Sequence, residues 1–357
     1  MKDGYYAFIP FSTDLAADVP QEEFALADGF SIAPVGSRLF GEAVALSREY
    51  VDAVEARKAT LPERHLLRRF YPDLVESLNR NCAALVSREV LPCLQPEFPE
   101  ISMYSDIITT AHLVGIRGAT RFTPTVERVF AALLVAGRVP VAFSSFFQIG
   151  VQNGAVATVR ENWTFPTETP TYLGGVDPPQ YSPAQLSLRC LEDASAVLHA
   201  VLLGGGDVRA TTALDMLYRA LLEGDWRAEI VFLMVALEAL FGPGDGEVAH
   251  QVSERAAAFV YGGRGDVPEM YRRLKRLYRA RSTFVHGDMK ELPEEKKFEL
   301  ARDLEFLMET VRLALHRVLT DECTSHRFRD KDQSQLDLYL EGEVMKPWMS
   351  TIGPPPP

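Results

Sequence analysis

Past residue 182 the chain is punctuated by glycine and proline into segments of helical length, and this constrains its fold more than any other feature. Gly204-Gly205-Gly206, Gly224, Gly242-Pro243-Gly244 and Gly287 each follow a stretch with apolar residues every three or four positions. Glycine just past such a stretch is a helix stop, and proline just inside one is a helix start. Six helices are expected: from Ser182-Pro183 to the Gly204 triplet, then about 210–222, 227–241, 247–261, 268–286 and 293–319. In the last, Leu300, Leu304, Leu307, Val311, Ala314 and Val318 recur at steps of four and three, a single apolar stripe for packing. This is the pattern of a helical bundle.

The first half reads differently. Pro10, Pro20, Gly29, Pro34 and Gly36 break the first 36 residues into extended segments and turns. Helical patterning then runs over about 37–61, 63–90 (interrupted near Pro72) and 101–136, with a proline-rich spacer between. At 139–163 two β-rich runs flank Asn153-Gly154, a dipeptide suited to a type I′ turn, so a β-hairpin is expected there. Residues 166–183 hold five prolines and no periodicity, the natural boundary. The expected organisation is mainly α: an α-rich N-terminal part with a small β-hairpin over 1–175, a helical bundle over 176–325, and a loose polar tail over 326–357.

Charge narrows the functional classes. With 37 Lys plus Arg against 49 Asp plus Glu the net charge is −12. A general nucleic-acid coat or a binder of anionic membrane is excluded; contact with RNA requires a local basic patch. Cys82, Cys93, Cys190 and Cys323 are scattered, with neither the spacing of a zinc site nor a disulfide framework, and fit a reducing cytoplasm. Met1 to Asp14 does not read as a signal peptide, and no apolar run reaches membrane-spanning length. No cofactor and no metal are expected: the Gly204 triplet lacks the lysine of a phosphate loop, and the glycine-rich run 242–247 lacks spaced calcium ligands.

The basic patch is Tyr271 to Asp288, YRRLKRLYRARSTFVHGD, with Arg272, Arg273, Lys275, Arg276, Arg279 and Arg281 in eleven positions and His286 after them. Its plain reading is a solvated helix face; its functional reading is a nucleic-acid surface. A smaller basic group surrounds His65, with Arg64, Arg68 and Arg69. Arg281 lies between apolar turns, so partial burial is expected. His286 ends its helix, where the dipole favours the imidazolium. An arginine and a histidine suit metal-free RNA cleavage: the guanidinium grips the phosphate and the imidazole moves a proton to or from a ribose oxygen. One histidine leaves the second proton transfer unfilled, and a homodimer with two facing motifs would fill it. Glu238 is the single charge in the apolar stretch Ile230 to Phe241 and needs a partner, for which Arg255 and Arg281 are the candidates.

These residues resemble the Apea-like HEPN family. Arg281-Ser-Thr-Phe-Val-His286 matches its R-x4-H motif with a polar residue after the arginine. Leu237-Glu238-Ala239-Leu240-Phe241, Arg255-Ala256, Tyr278-x-x-Arg281-Ser282 and His286-Gly287 follow in the family's order. The resemblance covers about 185–320. It implies an all-α bundle that dimerises and, in many members, a metal-independent ribonuclease in antiviral or toxin systems; other members are catalytically silent RNA-binding or scaffold modules. Carried over residue by residue, Arg281 is the phosphate clamp, His286 the acid or base, Ser282 an orienting hydroxyl, and Glu238 and Arg255 supporting groups. Arg272, Arg273, Lys275, Arg276 and Arg279 would hold nucleic acid. The N-terminal part would sense a trigger or restrain the nuclease, and a separately encoded antitoxin is a further possible partner.

Overall fold

The structure is a computed structural model that describes residues 4–12, 16–26, 30–34, 37–38, 82–87, 126–138, 145–152, 155–163, 186–202, 208–223, 225–243, 248–262, 266–286, 294–329 and 333–345. The described part is mainly α. It divides into two compact units: one holds the described residues up to Trp163 with Leu186–Ser195, the other those from Ala196 onward.

The first unit contains a six-stranded antiparallel sheet in the order β2-β3-β4-β1-β5-β6. Its strands are β1 (Gly4–Ser12), β2 (Phe24–Ala25), β3 (Phe30–Pro34), β4 (Cys82–Ser87), β5 (Ser145–Gln152) and β6 (Ala155–Trp163). The expected hairpin is present as β5 and β6, closing at Gln152 opposite Ala155 with a register irregularity at Gly150/Val151. It is one edge of a larger sheet. The opening segments pair as extended strands, as their prolines and glycines suggest. The expectation of helix over 63–90 is corrected at 82–87, which is a strand between β1 and β3; the rest of 63–90, and the basic group around His65, lie outside the described residues. Cys-Ala-Ala-Leu-Val has no decisive periodicity, and nonlocal pairing decides its state.

A helix, α1, covers 126–137, with Val126, Val129, Phe130 and Leu133 wholly buried. It closes with Arg138 at φ 57°, the left-handed region, where the Arg138 amide still reaches Leu134 O at 2.9 Å. Helix α2 (Leu188–Leu202) begins five residues later than the Ser182-Pro183 signal suggests. Ser187 starts it instead, its hydroxyl accepting from the Cys190 amide at 3.2 Å.

The second unit is a helical bundle of α3 (Val208–Leu222), α4 (Trp226–Phe241), α5 (Val248–Tyr261), α6 (Val267–His286), α7 (Glu294–Thr320), α8 (Glu322–Arg329), α9 (Gln333–Tyr339) and a π-helical turn, Leu340–Met345. Helices α3 to α7 begin and end within two residues of the expected bounds. The stripe Leu300, Leu304, Leu307, Val311, Ala314 and Val318 faces inward, each residue buried. The loose tail is corrected: described residues 322–345 are helical, and Phe328, Leu336, Leu340 and Met345 are buried. Phe328 stands edge-on to Phe241 at 6.1 Å between centroids, so this segment completes the core instead of trailing from it.

Candidate functional site

The site is built where α6 crosses α4. Helix α4 starts at Asp225, whose carboxylate accepts from the Arg227 amide at 3.0 Å and also pairs with the Arg227 guanidinium. Ile230, Leu233, Met234, Leu237 and Leu240 face the core from it. The helix ends at Gly242, where a Cβ would fall 2.4 Å from Glu238 O, so the close approach of this turn to Glu238 requires glycine. Helix α6 starts at Asp266, whose carboxylate accepts from the Glu269 amide at 3.1 Å. Leu274 and Leu277 bury its apolar face completely.

Three polar side chains meet at this crossing. The Tyr278 hydroxyl donates to one oxygen of Glu238. The other oxygen lies 3.5 Å from Arg281 Nη2, and the Arg281 guanidinium stands 5.7 Å from the centre of the Tyr278 ring. Burial first, then the Glu238 hydrogen bond and charge, push the Tyr278 phenol up to about 12, with Arg281 pulling the other way. Tyr278 is therefore a protonated donor across the whole neutral range. Of Glu238's two candidate partners, Arg281 is the one it meets. Both are half-buried, with side chains 22% and 25% exposed, so Arg281 has the partial burial expected of it. The pair is incomplete: Arg281 Nε is buried and has no hydrogen-bond partner. A guanidinium carries five donors in a fork, so this one retains capacity for another acceptor.

The end of α6 is tied down beyond Arg281. Phe284 meets Trp226 edge-on at 5.2 Å between centroids. Ser282 is half-buried, and Val285 is exposed. His286 is the last helical residue; its side chain lies outside the described residues.

Arg255 takes no part in this crossing, which corrects its expected support of Glu238. Its side chain is 3% exposed and donates to Asp337 at 2.8 Å, Glu341 at 2.8 Å and Phe241 O at 3.3 Å. Gln333 adds a bond to Asp337 at 2.9 Å. Arg255 thus locks the C-terminal helices onto α5.

The basic run splits into two populations. Arg273 and Arg276 both clamp Asp303 of α7, at 3.0 and 2.7 Å, and that carboxylate is 5% exposed. Arg273 also lies 4.0 Å over the Phe306 ring. Arg272 pairs with Glu269 at 2.8 Å. Lys275 instead reaches the Tyr271 hydroxyl at 2.9 Å, and exposed Arg279 has no ion pair among the described residues. Two of the five residues expected to hold nucleic acid thus share one buried carboxylate, and Arg276 keeps about half of its side chain exposed.

Sequence reasoning found no partner for His250 and gave Tyr271 no role of its own. His250 Nδ1 lies 3.3 Å from Glu254, and its ring is 5.6 Å from that of Tyr271. The i,i+4 spacing of His250 and Glu254 was the available signal; the tyrosine joins them only through tertiary packing. Glu229, in the first turn of α4, is pushed up to about 7 by burial, then by Glu223 and Asp225. Among the described residues no three His, Cys, Asp or Glu side chains gather as a metal site would need, and no helix is long and apolar enough to cross a membrane.

Comparison with known proteins adds no relative: no family model, no curated protein and no solved structure matches the chain.

Proposed function

We propose that the bundle is a metal-independent endoribonuclease of the HEPN kind, acting as a cytoplasmic homodimer in antiviral defence or as a toxin. The carrying observation is the Arg281 guanidinium, held by one carboxylate at 3.5 Å with its side chain a quarter exposed. A phosphate oxygen would bind the solvent-facing part of that fork. The ribose 2′-oxygen would attack the adjacent phosphorus and its proton pass to a base. The P–O5′ bond would break, and the leaving oxygen take a proton from an acid. His286 of the two subunits would fill the two proton-transfer roles. Arg281 would hold the charge that accumulates on the phosphate oxygens, with Glu238 and Tyr278 fixing its orientation and Ser282 beside it. An N-terminal sensor or an antitoxin would supply the restraint such an activity needs.

One observation favours a second reading, a non-catalytic RNA- or protein-binding module. Glu238 offsets the charge of Arg281, and a phosphate must compete with it. Cleavage assays in EDTA separate the two. Arg281→Ala and His286→Ala should each lower the rate by about 10²–10⁴-fold. Cleavage at the parental rate in both variants would remove the nuclease reading.

A further inference from the structure

Helix α6 carries a polar stripe that extends well beyond the residues of the proposed reaction. Tyr271, Lys275, Tyr278 and Ser282 follow one another at steps of four, three and four, and all four are half-buried. On a helix turning about 100° per residue they share one face. His286 continues the stripe by backbone register, four residues after Ser282. Arg273 and Arg276 lie on another face and share the single carboxylate of Asp303. Thus the face leading toward the helix end combines two tyrosines with Lys275 and, at its edge, Arg279. Across from Tyr271 stands His250.

The Lys275 ammonium is 2.9 Å from the Tyr271 hydroxyl but 5.4 Å from the ring centre. It therefore sits off the hydroxyl end and leaves the ring face uncovered by charge. Aromatic rings interleaved with cations are the chemistry that holds single-stranded nucleic acid, with bases on the rings and phosphates on the cations. A duplex keeps its bases stacked and offers such rings nothing. Two carboxylates, Glu254 and Glu238, border the face, and each is already engaged, by His250 and by Tyr278 with Arg281.

Distance decides what His250 does. Tyr271 and His286 are fifteen residues apart, about 22 Å along the axis. His250, beside Tyr271, is therefore too far from the helix end to exchange protons with the phosphate bound there. It belongs to a track, not to a second reacting centre.

We infer that the Tyr271–Lys275–Tyr278–Ser282 face is a binding track for single-stranded RNA, feeding the strand toward Arg281 and His286. The inference rests on the nuclease reading for its direction, while its binding claim stands apart from cleavage. The test is titration of a labelled short oligouridylate, and of a duplex of equal length, into full-length chain carrying His286→Ala. Tyr271→Ala and Tyr271→Leu, the latter keeping apolar bulk without a π-face, should each weaken strand binding about tenfold, while Tyr271→Phe stays within about twofold of its parent. Lys275→Gln should reduce the slope of log K against log salt by about 0.7. Unchanged affinity in both Tyr271→Ala and Tyr271→Leu, equal affinity for duplex and strand, or no strand binding at low salt would overturn the track. Cleavage by the wild-type chain together with indifference to Tyr271 would leave the nuclease and remove the track. Tyr271-dependent binding without cleavage by the wild-type chain would do the reverse.

Discussion

Arg255 and Arg281 stand on successive helices of one bundle, each against a carboxylate, and their surroundings differ in every respect that matters for chemistry. Arg255 is almost sealed, 3% exposed, with two carboxylates at 2.8 Å and a backbone carbonyl on its fork. Arg281 is a quarter exposed, with one carboxylate at 3.5 Å and a buried Nε that bonds to nothing. A fully satisfied buried guanidinium fixes architecture; it has no donor left to offer a ligand. One at the rim of a bundle, with a quarter of its side chain open to solvent, can meet an anion on that open side. Residue type alone does not separate them, since both are arginines within helices and both were candidates for Glu238.

Four measurements break or sharpen this contrast, from the largest effect down. The loss of EDTA-resistant cleavage in Arg281→Ala is the first, at about 10²–10⁴-fold. Second, Asp337→Asn combined with Glu341→Gln leaves the Arg255 charge buried without a counter-ion. Urea melts should show a loss of about 3 kcal/mol, against less than about 1 kcal/mol for Arg281→Met, whose partner keeps solvent and Tyr278. A loss of equal size in both would erase the distinction between lock and site.

Third, Glu229 gives the bundle a pH dependence of known sign. Its folded pKa, about 7, lies above the ordinary 4.5. Between these values the unfolded chain has released the proton and the folded chain keeps it, so the contribution to stability is full below pH 4.5 and is lost as pH rises through 7. Melting between pH 5 and 8 should lose about 2 kcal/mol from this group, and Glu229→Gln should flatten the curve; an unchanged slope in the variant would refute the assignment. Fourth, Tyr278→Phe should cost about 1 kcal/mol of stability and raise KM severalfold, because a released Glu238 closes on Arg281. A lower KM would show that Tyr278 holds Glu238 toward Arg281 instead of away from it.

Much of the bundle was legible because glycine and proline mark helix ends by local backbone physics, which needs no knowledge of the rest of the chain. The stripe along α7 was legible because apolar residues at helical spacing are likewise a local pattern. The errors lie where distant residues decide. Residues 82–87 form a strand only because β1 and β3 flank them. The segment 322–345 folds because Arg255 and the Phe241–Phe259–Phe328 cluster wait for it. At the candidate site, the residue types and their spacing on α6 were readable, whereas Glu238's choice between two arginines depended on helix crossing. The partition of the basic run between Asp303 and an open face was hidden for the same reason: charge counts along a helix carry no record of what faces it.

The chemistry at the ends of RNA fragments tests the central claim most directly. Full-length chain is incubated with single-stranded RNA in EDTA and the products are read by mass spectrometry. The account predicts 2′,3′-cyclic phosphate on one fragment and a 5′-hydroxyl on the other, since the ribose oxygen is the nucleophile. Fragments ending in a 3′-hydroxyl and a 5′-phosphate would contradict it.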